Sequence, residues 1–488
     1  MNQASDPVTR PTAAAPRPMA AAQDAAGSGL GRFLNRRGFL RNSVAAGAGL
    51  MLTSKSAIAQ QAGRTLKVGM VGCGAQGRAL QNACVGLDGM QFTAVCDIWP
   101  HNLRQVHQRI ERINRHDATP YEDYEEMLDK EDLDAVLLPT PDHLHAPYTR
   151  MALEKGLAVY CEKMMSNTIE GARDMVKAQR ETGGILQIGH QRRSNPRYLH
   201  ARDQVFYGNE LLGRVTHVNA QWNRAVAGMI GYPQNAVLDA ATLQKHGYES
   251  MEQFMNWRWF KKFGGGPISD LGAHQIDMFN WFFKTTPKSL IASGGVDYYD
   301  SYEHNDNVMA IYEYELADGN IARAYYQVLT TTSSQGFYEK FMGEDAALVI
   351  SESPGYNQVW REARVQESWD HLTQGDSPTL LRPAGTIHHK FWQQPRPWTQ
   401  PTPWLDTQGV IDVRESEPPG HFELPVSMNV PYHQPHLQNF FEAVRKNDPS
   451  SLNCTVQQAF ECCVITLACN EAIETGRKIE FTKEDFTA

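Results

Sequence analysis

Two stretches of the chain carry side chains of the kind that move protons. Gly264-Gly265-Gly266-Pro267-Ile268-Ser269 runs into Asp270, His274 and Asp277, spaced four and three apart, which on a helix puts the three on one face. A carboxylate and an imidazole so placed can work as an acid–base pair, the carboxylate orienting or tuning the ring. The glycines ahead of them give the helix start room to approach another backbone or a ligand. The second stretch is Glu162-Lys163-Met164, directly after the apolar run Leu157–Cys161. Residue types alone leave a plainer alternative open, in which Asp270 stabilises its own helix and His274 is a satisfied core histidine.

The elements that would position these groups are legible upstream. Leu66–Val71 is a short apolar run followed by Gly72-Cys73-Gly74-Ala75-Gln76-Gly77, a helix-like stretch, and a second run, Phe92–Cys96, that ends in Asp97. This strand–glycine loop–helix–strand context is what a dinucleotide-binding fingerprint requires. Gly72 permits the tight turn, Gly74 lets the backbone approach a pyrophosphate, and Gly77 allows close helix–strand packing. Ala75 and Gln76 open the helix whose free N–H groups and dipole meet the phosphates. Asp97, twenty residues after Gly77, can accept both ribose hydroxyls of the adenosine half and repels a 2′-phosphate, which favours NAD over NADP.

The alternation continues with a helix over 121–128, a strand over 134–138 ending in Thr140-Pro141 and His145, a helix to Lys155, the strand before Glu162, a helix over 168–182 and a strand over 185–189. Short strands alternating with longer helices predict a doubly wound parallel sheet over 65–190. Its polar clusters all follow strands, on the edge where such sheets bind ligands. From 191 to 488 the texture changes to aromatic and β-branched runs separated by turns (214–222, 290–298, 308–314, 321–328, 347–350), which predicts an α+β domain with a large, mostly antiparallel open sheet. Further polar candidates for substrate contact are Arg193, Asn195, Trp222, Arg224, Asn256, Arg258, Tyr432 and His433, with 251–259 at the pocket mouth. A proline- and tryptophan-rich insertion spans about 378–419.

Composition narrows the class. Of 488 residues 41% are hydrophobic and 21% charged, as in a folded protein with a full core. The net charge of −9 argues against nucleic acid or an anionic membrane as partner. Of the eight cysteines, Cys73, Cys96 and Cys161 sit at strand ends and Cys454, Cys462, Cys463 and Cys469 in or near one helical stretch without metal-ligand spacing, which reads as buried thiols, with a bond from Cys454 to a helix cysteine left open. His143-x-His145 and His388-His389 lack the complementary ligands of a metal site, so no metal is expected. Residues 1–59 form a separate unit: Arg36-Arg37 before Phe39-Leu40, an apolar Val44–Leu52 too short to anchor stably in a bilayer, and Ala57-Ile58-Ala59 before Gln60. That order makes a signal peptide of twin-arginine type and predicts export to the periplasm through the twin-arginine machinery.

Taken together, the leader, Gly72–Gly77, Thr140-Pro141 with His145, Glu162-Lys163 and Gly264–Asp277 resemble the glucose–fructose oxidoreductase / inositol dehydrogenase / MocA (Gfo/Idh/MocA) family. Gln191–Pro196, Asn256-Trp257-Arg258 and His436–Phe440 are similar to its exported branch. The resemblance implies a Rossmann domain paired with an α/β domain whose open sheet mediates homo-oligomers, and oxidation or reduction of sugar and cyclitol carbons. It implies that Lys163 sits near the nicotinamide and polarises the reacting oxygen or relays its proton, that Glu162 orients its neighbours, that His274 is the base and that Asp270 supports it. Thr140, Pro141 and His145 join the glycines, Asp97, Glu162 and Lys163 as cofactor-binding positions. Arg193, Asn195, Trp222, Arg258, Asp270 and His274 face the substrate. Met164 stands where the family has proline, a departure that puts the placing of Lys163 in question.

Export of a nicotinamide enzyme away from the cytoplasmic NAD pool implies a cofactor loaded beforehand and held tightly. Such a cofactor must be restored in each cycle, by a ping-pong exchange between two sugars or by transient oxidation at C3 followed by loss of a glycosidic bond. The second route makes a redox-neutral, NAD-dependent glycoside hydrolase the main alternative. A non-catalytic sugar-binding sensor is a third.

Overall fold

The computed structural model describes residues 64–226, 229–362, 364, 365, 367–383 and 420–488. The leader at 1–59, and 384–419 of the insertion, lie outside the described residues.

The N-terminal half is a six-stranded parallel sheet in the order β3-β2-β1-β4-β5-β6, built from Leu66–Val71, Met90–Cys96, Thr119–Tyr121, Ala135–Leu138, Ala158–Cys161 and Leu186–Ile188 as β1 to β6. Helices α1 (Ala75–Ala83), α2 (Pro100–Arg109), α3 (Tyr124–Lys130), α4 (Asp142–Glu154) and α5 (Ile169–Thr182) make the crossovers. The order reverses between β1 and β4, so the loops leaving those two strands diverge and open a crevice at their carboxyl ends. One expectation fails here. Tyr121 does not start the helix expected over 121–128 but ends the edge strand β3, paired to Cys96. The helix starts only at Tyr124, where the Asp123 side chain accepts from the Glu126 N–H at 3.2 Å and so caps the first turn.

The C-terminal half carries nine strands: β7 (Val215–Asn223), β8 (Ser289–Gly295), β9 (Asn307–Glu315), β10 (Ile321–Leu329), β11 (Phe337–Gly343), β12 (Ala346–Ile350), β13 (Gln358–Arg361), β14 (Gly420–Glu423) and β15 (Ile479–Glu480). Their order is β14-β13-β12-β11-β7-β10-β9-β8-β15, all antiparallel except β7 with β10. Along β9 and β10 buried and more exposed positions alternate strictly, the period of a sheet covered on one face. The covering layer includes α9 (Ala273–Phe283) and α11 (Val456–Thr475), the latter started by a reciprocal Thr455–Gln458 capping box. Short helices α6 (Pro196–His200), α7 (Ala240–Lys245) and α8 (Met251–Met255) and the longer α10 (Gln434–Lys446) complete the set used below. α10 packs its Leu437, Phe440 and Phe441 into the core of the N-terminal half, so the chain returns to its first domain near its end.

All eight cysteines are buried and free, which removes the disulfide left open for Cys454. No described helix is long and apolar enough to cross a membrane.

Candidate active site

A crevice of about 750 Å³ runs along the carboxyl edge of the parallel sheet and is lined by both halves of the molecule. Its floor is the glycine loop. Gly72 has φ +107°, and a Cβ there would meet the Pro139 carbonyl oxygen at 2.7 Å, while one on Gly77 would meet the Gly72 carbonyl oxygen at 2.0 Å. Both positions therefore exclude any side chain, the first by conformation and proximity and the second by helix–strand contact. Gly74 differs, because a Cβ there would meet nothing within 4 Å. The space above it opens into the crevice, next to the N–H groups that begin α1. Asp97 closes this end. Its carboxylate accepts from the Cys73 N–H at 2.6 Å and the Trp99 N–H at 2.7 Å, and burial pushes its pKa up to about 6 against those stabilising bonds.

Thr140 and Pro141 line the same crevice opposite the glycines. His145 does not. Its ring is buried, with Nδ1 facing the Met164 carbonyl at 2.5 Å and Nε2 the Thr140 carbonyl at 2.8 Å. It ties the β4 loop to the β5 loop from the inner side of α4 and does not itself line the crevice. Gln76 bridges the two halves, donating to Glu162 Oε1 at 3.0 Å and meeting His433 Nε2 at 2.9 Å.

In the middle of the crevice Lys163 Nζ donates to the Asp270 carbonyl at 2.5 Å and stands 3.6 Å from Asp270 Oδ1. The Lys163–Met164 peptide is cis. Arg258 donates Nε to the same Oδ1 at 3.0 Å while its guanidinium lies 4.3 Å from the centre of the Trp257 ring. Burial alone would raise the Asp270 pKa, but Arg258 and then Lys163 outweigh it and hold the carboxyl well below the usual carboxylate range. Asp142, at the start of α4, lines the crevice too, and burial pushes its carboxyl up to about 7. It falls within the polar stretch 140–145 after β4, but nothing in the sequence singled it out, because its burial depends on the glycine entry docking against α4, where the His143 N–H donates to the Phe263 carbonyl at 3.2 Å.

Asp270 and His274 do not form the expected pair. Residues 268–272 make one wide π turn before α9 begins at Ala273. The Asp270 carboxylate accepts a charge-assisted bond from Arg258 and has the Lys163 ammonium 3.6 Å away, an arrangement stronger than any bond to a neutral ring. His274 packs instead at a tilt against Trp222, ring centres 5.4 Å apart. Burial, then the charges of Lys163 and Arg192, hold its imidazole well below its ordinary pKa, so at neutral pH it is an unprotonated base.

Three expected substrate contacts are engaged in structural bonds. Arg193 is buried and gives Nε and Nη2 to both oxygens of Asp277, at 2.7 to 3.1 Å. Asn195 is fully buried and caps α6 by accepting from the Arg197 N–H at 3.0 Å. Asn256 clips its own loop, accepting from the Ile230 N–H at 2.6 Å. Nearby, Arg192, Glu339, Glu352 and Tyr198 form a sealed network that joins the end of the first domain to the sheet, Arg192 Nε donating to Glu352 at 3.1 Å and Tyr198 Oη to Glu339 at 2.7 Å. Arginines in sequence look alike whether they end in a crevice or a core.

A glycine loop with open space above Gly74, a carboxylate at the end of β2 and a crevice of this volume fit a dinucleotide. The sequence model of the oxidoreductase family with an NAD-binding Rossmann fold matches residues 66–190, and that of the Gfo/Idh/MocA C-terminal domain matches 206–339. The chain belongs to the Gfo/Idh/MocA family.

Among curated relatives, a glycosyl hydrolase family 109 protein of Stenotrophomonas maltophilia is 26% identical over 202 residues, 40% of this chain and 44% of that one. An inositol 2-dehydrogenase of Klebsiella pneumoniae is 32% identical over 160 residues, 32% of this chain and 46% of that one. The chain spans a little under half the length of each. Among solved structures, the WlbA dehydrogenase of Bordetella pertussis, in complex with NADH and UDP-GlcNAcA, superposes with a TM-score of 0.58 over 86% of this chain and 98% of that one, at 16% identity. At that identity the likeness is one of fold.

Proposed function

We propose that this protein is an exported oxidoreductase that transfers hydride between a tightly held nicotinamide dinucleotide and a hydroxyl-bearing carbon of a sugar or cyclitol. The observation that carries the reading is the meeting of Lys163, Asp270 and Arg258 in one crevice with the glycine loop. Gly72, Gly74, Ala75 and Gln76 would cradle the pyrophosphate and Asp97 would accept from a ribose. A bound nicotinamide would supply the hydride acceptor. His274 lies outside the crevice lining but close enough to feel the charge of Lys163; its neutral imidazole would take the hydroxyl proton while Lys163 polarises the same oxygen. Asp270 fixes Lys163 and Arg258 against each other, and the remaining N–H groups of Arg258, without a partner among the described residues, would meet substrate hydroxyls.

The twin-arginine leader supports export, and the family's inositol dehydrogenase relative supports the polyol substrate. The uncovered face of the nine-stranded sheet exposes Ile291 (45%), Met309 (41%) and, at its edge, Tyr298 (67%), which supports a homo-oligomer formed through that sheet. In the test, purified protein is denatured and the released small molecule identified by mass spectrometry. The expected result is NAD, whose absorbance in the intact protein shifts to the reduced form on adding sugar with no second substrate.

A second reading, redox-neutral cleavage of a glycoside through transient C3 oxidation, is favoured by the family 109 relative. It predicts release of nitrophenol from nitrophenyl glycosides with no net change in the nicotinamide. Sugar binding by protein that carries no nucleotide would instead favour the sensor.

A further inference from the structure

The crevice has a roof, and the roof does not come from the nucleotide-binding half. Residues 229–263 leave the sheet after β7, cross above the strand ends and return as the glycine entry to α9. Within this strap α7 and α8 are each started by a side-chain cap, Asp239 accepting from Thr242 N–H at 3.0 Å and Ser250 from Gln253 N–H at 3.1 Å. Asn256 clips the strap to itself through the Ile230 backbone and through the Glu252 carbonyl at 2.9 Å. Its inner surface contributes Ile230, Tyr248, Phe254, Met255 and Trp257 to the crevice lining.

The strap is fastened to the first domain on both sides of the crevice. On the Asp97 side, Trp99 is buried in an apolar cluster with Leu238, Leu243, Tyr248, Met251 and Phe263, separate from the two main cores. Its indole meets Phe254 edge-on, ring centres 5.9 Å apart, and its Nε1–H donates to the Ala236 carbonyl at 2.5 Å. Lys245 adds an exposed pair to Asp123 at 3.3 Å. On the other side, the His143 ring stands edge-on to Phe263 at 5.0 Å, and Asn167 donates to the Lys262 carbonyl at 3.0 Å.

The geometry points to a retention device: the strap is a roof that closes a dinucleotide into the crevice, latched at the adenosine end by Trp99. This rests on the proposed nicotinamide cofactor and adds how it is held. The backbone N–H of Trp99 binds the Asp97 carboxylate at 2.7 Å, so the latch and the expected ribose acceptor are joined directly. A ligand beneath the roof leaves only when the Trp99 cluster separates, and it enters by the same opening. Trp99 is thus a positioning residue that acts through the strap, and its signature is kinetic. A gate slows entry and exit together, whereas a simple binding contact slows exit alone.

The test uses the full chain loaded with radiolabelled NAD and chased with excess unlabelled NAD, together with the uptake rate of protein stripped of nucleotide. Trp99→Phe, which keeps the packing and loses the hydrogen bond, should speed release by roughly tenfold, and Trp99→Ala by roughly a hundredfold. Uptake should quicken in the same order. Unchanged release in both variants overturns the roof, and so does faster release without faster uptake. Wild-type protein that binds no dinucleotide at all sinks the cofactor reading itself, a result recognisable before any variant is made. Trp99→Phe keeps the test decisive if the alanine variant does not fold.

Discussion

Asp270 and Asp277 lie seven residues apart across the π turn and α9, and each is bonded by an arginine, yet they belong to different kinds of site. The Asp277 side chain is 1% exposed, its two oxygens filled by Arg193 with His190 Nδ1 3.7 Å away. The Asp270 side chain is 29% exposed and shares one oxygen between Arg258 and Lys163, leaving hydrogen-bonding capacity toward the crevice. The first cluster is sealed and its carboxylate is fully engaged by Arg193, although both ring nitrogens of the buried His190 beside it have no partner among the described residues. The second is open and has N–H groups to spare, which is the condition for meeting a substrate. Identical residue types thus divide by saturation and access rather than by chemistry.

Breaking the sealed cluster should have the largest effect on folding. Asp277→Ala leaves Arg193 charged and buried without a partner, and should cost about 3–5 kcal/mol in denaturant unfolding. A loss below about 1 kcal/mol, the scale of an exposed ion pair, would show that water reaches the cluster. Next comes His274, the proposed base. His274→Gln should lower turnover by roughly 10²–10³-fold with bound nucleotide retained and the unfolding midpoint unmoved. Retained activity would remove His274 from the chemistry.

Asp270→Asn keeps the shape and loses the charge that holds Lys163 and Arg258. It should cost roughly ten- to a hundredfold in turnover, with less stability lost than in Asp277→Ala. Equal stability losses for the two variants would dissolve the distinction between the clusters.

The smallest effect concerns the crevice end at Asp97. With its pKa raised by burial to about 6, the ionised form is lost as pH falls through that value. NAD affinity measured by titration should therefore weaken by about tenfold from pH 7 to pH 5. Asp97→Asn should flatten that dependence.

Much of this was legible along the chain because it is local. The parallel sheet follows from short apolar runs alternating with helices, and the glycine loop from three residues whose spacing only a tight turn and a close helix explain. Gly72 and Gly77 proved to have no room for a side chain and Gly74 ample room, as a phosphate cradle demands. Edge elements were harder. β3 has three residues and draws its identity from pairing with β2, and β13 and β14 were invisible because four residues carry too little pattern.

By itself the sequence determined the parallel sheet followed by a mostly antiparallel one, the family, and the glycine loop that floors the crevice. Only the tertiary structure decided that Arg193 and Asn195 turn inward, that His145 braces two loops, that Asp270 serves two cations rather than His274, and that a strap from the second domain roofs the first. The reason is physical. Periodicity, capping and glycine conformation are settled by neighbours a few residues away, whereas a charged side chain chooses its partner from whatever packing delivers, and Arg193 finds Asp277 across 84 residues of chain.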